Sequence, residues 1–130
     1  MTQEEEKDLL LKDLCARLPY GVRYRHFTWN DEFGEIYIAA RIYSINTDGY
    51  VKNCYDDETI YIDNVRPYLF PLSSMTEEQK KEYQYITERW MNDPSYSISD
   101  SIEWLNKNHF DYRGLIEKGL AIDATGLNIY

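Results

Sequence analysis

Glu35-Ile36-Tyr37-Ile38-Ala39-Ala40-Arg41-Ile42-Tyr43-Ser44-Ile45-Asn46-Thr47-Asp48-Gly49-Tyr50 is the stretch that decides the fold. Its apolar residues Ile36, Ile38, Ala40 and Ile42 recur at every second position, the period of a strand with one buried face. Tyr37, Arg41 and Tyr43 then fall on the opposite face. Asn46-Thr47-Asp48-Gly49 stops the alternation with a hairpin signal, because Asp-Gly favours the positive dihedrals that tight turns between antiparallel strands require. A long strand that turns back on itself is therefore the centre of the domain.

The same period runs outward in both directions. Upstream, Val22 to Trp29 reads as a strand joined to Glu35–Ile45 by the turn-like Asn30-Asp31-Glu32-Phe33-Gly34. Downstream, Tyr50 to Tyr55 pairs back, and after the acidic turn Asp56-Asp57-Glu58 the alternation of Thr59 to Asp63 predicts one more strand. The result is a four-stranded antiparallel meander, either an open sheet or a small curved barrel that hides its edges.

Helical signals flank the meander on both sides. Thr2 with Glu5 forms a capping box, and Leu10, Leu11, Leu14, Cys15 and Leu18 behind it predict a helix from Gln3 to Arg17, ended by Pro19 and Gly21. Cys15 is expected on the buried stripe. Pro67 and Pro71 bracket Tyr68-Leu69-Phe70, read as an extended, core-sealing crossover from sheet to helices. Two overlapping capping boxes, Ser74 with Glu77 and Thr76 with Gln79, open a second helix with Tyr83, Ile86 and Trp90 on one face, which stops at Asn92-Asp93-Pro94. A third starts at Ser99 or Asp100 and presents Ile102, Trp104 and Leu105. A short helical turn capped by Asp111 closes near Gly119, after which Leu120-Ala121-Ile122 is able to add a strand. The fold class is α+β in one domain, residues 1–130, with two to three C-terminal helices packed on the sheet.

Composition narrows the function. At 130 residues and 43% hydrophobic the chain is one domain with one core. Thirteen tyrosines give it many rings with polar tips, suited to a half-buried roof or to a recognition surface. A formal charge of -9 disfavours direct contact with a phosphate backbone unless the basic residues gather on one face. The nearest approach to such a gathering is Arg23 and Arg25, two positions apart on one strand face. Cys15 and Cys54 are too few for a disulfide framework and lack the spacing of a metal or redox pair. The acidic start and the lack of a long apolar run point to a cytoplasmic protein that does not enter membranes.

Chemistry-bearing motifs are sparse. His26 and His109 stand apart, without the neighbours a zinc site needs, so neither a metal nor another cofactor is expected. The glycines form no phosphate loop, and there is no nucleophile elbow. His109, Asp111 and Arg113 are the one crowding of catalytic types, and they are the candidate ligand-binding residues if the protein is an enzyme or takes a small ligand. Their structural reading is a cap at Asp111, anchors at Phe110 and Tyr112, and an ion pair for Arg113. No catalytic residue is assigned.

Three runs carry a resemblance: Leu9-Leu10-Leu11-Lys12-Asp13-Leu14-Cys15-Ala16-Arg17-Leu18-Pro19-Tyr20-Gly21-Val22, the run from Val65 to Gln79, and Trp104-Leu105-Asn106-Lys107-Asn108-His109-Phe110-Asp111-Tyr112-Arg113-Gly114-Leu115-Ile116. Together they resemble a family of short uncharacterised proteins frequent in anaerobic gut bacteria and in their phages and integrated mobile elements. That resemblance implies a small protein of mobile-element or phage origin that works by binding in the bacterial or infected cytoplasm. The leading expectation is a non-enzymatic protein–protein interaction module presenting Tyr37, Tyr43, Tyr50 and Tyr55 around the Asn46–Gly49 turn to another protein. One alternative is an acidic decoy that inhibits a host nucleic-acid-binding or defence protein; another is a small-ligand protein or enzyme centred on His109. An edge strand such as Tyr50 to Tyr55 would also permit a homodimer across a twofold axis.

Overall fold

The computed structural model describes residues 1–56, 58–92 and 98–130, with the backbone alone for Trp90, Met91 and Ile98. Asp57 of the acidic turn, the Asp93-Pro94 helix stop and the Trp90 side chain lie outside that description. Helix α1 (Gln3–Arg17) begins where its cap predicts, the Thr2 hydroxyl accepting from the Glu5 N–H at 3.1 Å. Four strands follow: β1 (Arg23–Asn30), β2 (Gly34–Ile45), β3 (Tyr50–Asn53) and β4 (Thr59–Tyr61). They pair antiparallel in the order β1-β2-β3-β4 and curl into a half-barrel around α1. The α+β fold with an antiparallel meander is therefore observed.

The curl has a local cause. The β2–β3 register slips between Ile42 and Ser44, and a bulge there sharpens the twist of the long strand. The hairpin beyond it closes as expected: the Gly49 N–H donates to the Asn46 carbonyl at 3.1 Å with Gly49 at φ 91. Because β3 is paired with both β2 and β4, its ladders are filled, and the sheet edge lies at β4 rather than at Tyr50–Tyr55.

The Pro67–Pro71 segment does more than cross over. Its residues Tyr68–Pro71 form β5, the centre of a second, parallel sheet in the order β6-β5-β7, with β6 at Phe110–Asp111 and β7 at Ile122–Asp123. Helices α2 (Glu77–Asn92) and α3 (Ile98–Lys107) lie between β5 and β6 in the chain. Of the paired capping boxes, Thr76 with Gln79 makes both reciprocal bonds, at 2.9 and 3.1 Å, while the Ser74 hydroxyl turns back to the Pro71 carbonyl.

Two apolar clusters fill the interior. The larger lies between α1 and the concave sheet face and includes Leu10, Leu14, Tyr24, Ile42, Val51 and Leu69; each such side chain contributes about 1.5–3 kcal/mol on leaving water. The smaller joins Trp104, Leu105 and Phe110 to Phe70, Tyr83 and Ile86, with the Trp104 and Phe110 rings stacked 5.7 Å apart. Helix α1 also departs from its predicted stripe. Cys15 is exposed and Asp13 and Arg17 are buried instead, because their ion pair is satisfied from inside the molecule.

Candidate binding face

His109, Asp111 and Arg113 each have a defined place in the fold. His109 follows the end of α3 in the left-handed conformation, φ 63, and its ring stacks on Tyr130 with centroids 3.6 Å apart. Burial, then the positive charges of Arg17 and Arg23, lower its pKa to about 4, so the ring is neutral at pH 7. The Asp111 carboxylate accepts from the Leu115 and Ile116 N–H groups at 3.0 and 2.9 Å, the capping role read from the sequence. Arg113 donates to Asp13 at 2.7 Å, and Asp13 also accepts from Arg17 at 2.9 Å. Since His109 and Asp111 are each 8% exposed, they present little surface to a ligand.

A second polar cluster, not assembled from the sequence, closes the open side of the half-barrel. On β1, Tyr24 and His26 point inward, and Asn53 at the end of β3 reaches both Tyr24 and Asp56 through its amide nitrogen at 3.0 Å. The orientation of that amide is set by its oxygen, which accepts from the Tyr55 and Asp56 N–H groups. The Tyr24 hydroxyl, already accepting from Asn53, meets His26 Nδ1 at 3.1 Å, and because the Asp56 carboxylate only accepts, Nε2–H donates to its Oδ2 at 2.9 Å. Burial pushes the Asp56 carboxyl up, but hydrogen bonds from His26, the Glu58 N–H and Asn53 outweigh it and hold the pKa at about 2. Burial also raises Tyr24 to about 12, against the Asn53 bond.

His26, Asp56 and Glu58 are also a grouping of metal-type donors, their ligand atoms within 4.8 Å of one another. In the bonded arrangement Nε2 carries a proton and offers no lone pair to a cation. The geometry suits a latch between β1 and the β3–β4 turn better than a metal centre.

The outer sheet face is different in character. Register places Arg23 opposite Arg41, Arg25 opposite Ala39, Phe27 opposite Tyr37 and Trp29 opposite Glu35, so these side chains share the convex face. Phe27 is 48% exposed, Trp29 66%, Tyr37 58% and Phe33, in the adjoining turn, 73%. The Phe27 and Tyr37 rings meet at 5.2 Å, and the Arg25 guanidinium lies 3.9 Å above the Tyr37 ring. Exposed rings in contact, with an arginine stacked on one of them, form a continuous amphipathic surface.

The four tyrosines singled out from the sequence are all exposed, but they do not form one cluster around the Asn46–Gly49 turn. Tyr37 and Tyr43 lie six positions apart on β2, roughly 20 Å at the rise of a strand. Tyr50 pairs with Tyr61 at 5.4 Å, and Tyr55 stands in the turn after β3. The denser group is at the opposite hairpin, where Phe27, Trp29 and Phe33 join Tyr37. The alternation of Arg25, Phe27 and Trp29 in the sequence was the available sign of it. Among the described residues no helix is long and apolar enough to cross a membrane. No known protein family, curated protein or solved structure matches the chain.

Proposed function

We propose that this is a non-enzymatic binding module of the cytoplasm, and that the convex face of the β1–β2 ladder is its recognition surface. The observation that carries the reading is the group of exposed rings at Phe27, Trp29, Phe33 and Tyr37, with Phe27 and Tyr37 in contact, on a ladder backed by the core. Rigid rings supply contact area at small entropic cost, which is why they concentrate where macromolecules meet. Behind them, the Tyr24–His26–Asp56 latch and the α1 core fix the strands. Two exposed free thiols, Cys15 and Cys54, suit a reducing compartment. The origin in a phage or mobile element, implied by the resemblance of the three sequence runs, is part of the same proposal.

Affinity capture from the native host checks the reading, using the parent chain beside the triple variant Phe27→Ala, Trp29→Ala, Tyr37→Ala. The expected outcome is that reproducibly recovered material, protein or nucleic acid, is lost with the variant while its circular dichroism stays that of the parent. Equal recovery by both would overturn the assignment of the face.

A further inference from the structure

We infer that the convex β1–β2 face binds an unpaired nucleic-acid strand, an inference that rests on that face being the recognition surface. The chain carries a net -9, yet on this ladder three arginines, Arg23, Arg25 and Arg41, face outward with Glu35 as the one strand carboxylate. Arg23 and Arg41 stand directly opposite each other; Arg23 donates one bond to the Ala39 carbonyl at 2.9 Å, but a carbonyl does not cancel the like charges, which an anion would. Among the described residues, neither they nor Arg25 is in a salt bridge.

The two arginines also line a cleft of about 560 Å³ with Lys107, Tyr20 and Tyr130. Glu103 at its border is held by the Tyr20 hydroxyl at 2.9 Å. The track therefore has a cationic end at Arg23, Arg41 and Lys107, a mixed centre where Arg25 covers Tyr37, and an aromatic end at Phe27 and Trp29. From Arg23 to Trp29 it spans roughly 20 Å. Cations that follow a backbone, interleaved with rings that stack on bases, are what unpaired strands require; a duplex hides its base faces from such rings. The acidic remainder of the molecule repels phosphate and confines the strand to this face. Asp31 and Glu32 at the hairpin tip mark where the track ends.

The test is fluorescence anisotropy of labelled oligo(dT) and oligo(rU) of about 12 nucleotides, within the usual site size, against the full chain. Saturable binding is expected. About three phosphate contacts would weaken it roughly 15- to 20-fold between 50 and 200 mM salt. Arg25→Glu and Arg41→Glu should each lower affinity and flatten that salt dependence, and Phe27→Ala with Tyr37→Ala should cost fivefold or more. All four positions are exposed, so the variants keep the fold. Stronger binding of one oligomer tells whether the strand is RNA or DNA. Lack of binding by either at 50 mM salt, binding untouched by the variants, or capture by polyglutamate in place of the strand would overturn the inference. If host capture still depended on Phe27 and Tyr37 after nuclease treatment, the recognition face would stand and the nucleic-acid assignment would fall.

Discussion

His109 links the stability of the molecule to pH. Folded, its pKa is about 4, lowered by burial and then by Arg17 and Arg23; unfolded, it returns to about 6.5. Between those values the unfolded chain binds the extra proton, so stability is complete above about pH 6.5 and falls as the pH drops towards 4. The whole effect is on the order of 3 kcal/mol, of which about 2 kcal/mol is expected between pH 7.5 and pH 5. Asp56 works in a lower window, since a carboxyl held at about 2 loses its contribution only below its ordinary value. Urea denaturation of the parent and of His109→Asn, which keeps a residue tolerant of left-handed geometry, checks the assignment. The variant should lose most of the slope between pH 7.5 and pH 5; parallel curves would place the titrating group elsewhere.

At the scale of elements, the ion pairs of Asp13 join α1 to the C-terminal segment. Asp13 and Arg17 are fully buried, Arg17 donates to the Phe110 carbonyl at 2.6 Å, and Arg113 completes the group at 2.7 Å. Asp13→Asn would leave two guanidinium groups without their counter-charge, one of them buried, and should cost about 3–5 kcal/mol. A shift in the urea midpoint equivalent to less than 1 kcal/mol would show that the pair is dispensable. This arrangement also shows where the sequence was hard to read. Leu10 and Leu14 declared the buried side of α1, and the cap at Thr2 declared its start. That Asp13 and Arg17 lie inside depends on Arg113, 100 residues further along the chain from Asp13. No local period carries that information, so Cys15 was assigned an interior place it does not occupy. The long strands were legible because β2 alternates from Ile36 to Tyr43, ahead of its bulge, whereas β6 and β7 have two residues each and β5 four, too few to show a period. The outer face was half legible: each exposed ring could be placed on a side of its strand, but which rings touch required the register.

Across the whole molecule, Tyr130 couples the two sheets. Its hydroxyl accepts from the Arg23 N–H of β1 at 2.9 Å and donates to the Tyr68 carbonyl of β5 at 2.7 Å. Tyr130→Phe strands both groups and should cost about 1–3 kcal/mol. Hydrogen exchange checks it: the Arg23 amide should exchange faster while those of β3 and β4 are unchanged, and uniform acceleration would mean the hydroxyl is not a local clasp. The same clasp lies against the cationic end of the proposed track, so the variant also reports whether strand binding needs the two sheets locked together.

The parallel pairing of β5 with β6 and β7 has a consequence for how the chain acquires its shape. Phe70 meets Phe110 and Tyr68 meets Ile122 only after α2 and α3 have been gathered in, whereas β1, β2 and β3 find one another across short turns. Closing the longer loops costs more chain entropy and returns little until several contacts form together. The half-barrel is therefore the early scaffold and the small sheet the late seal, and a pulse-labelling experiment should record protection of β1–β2 amides before that of Phe70 and Ile122.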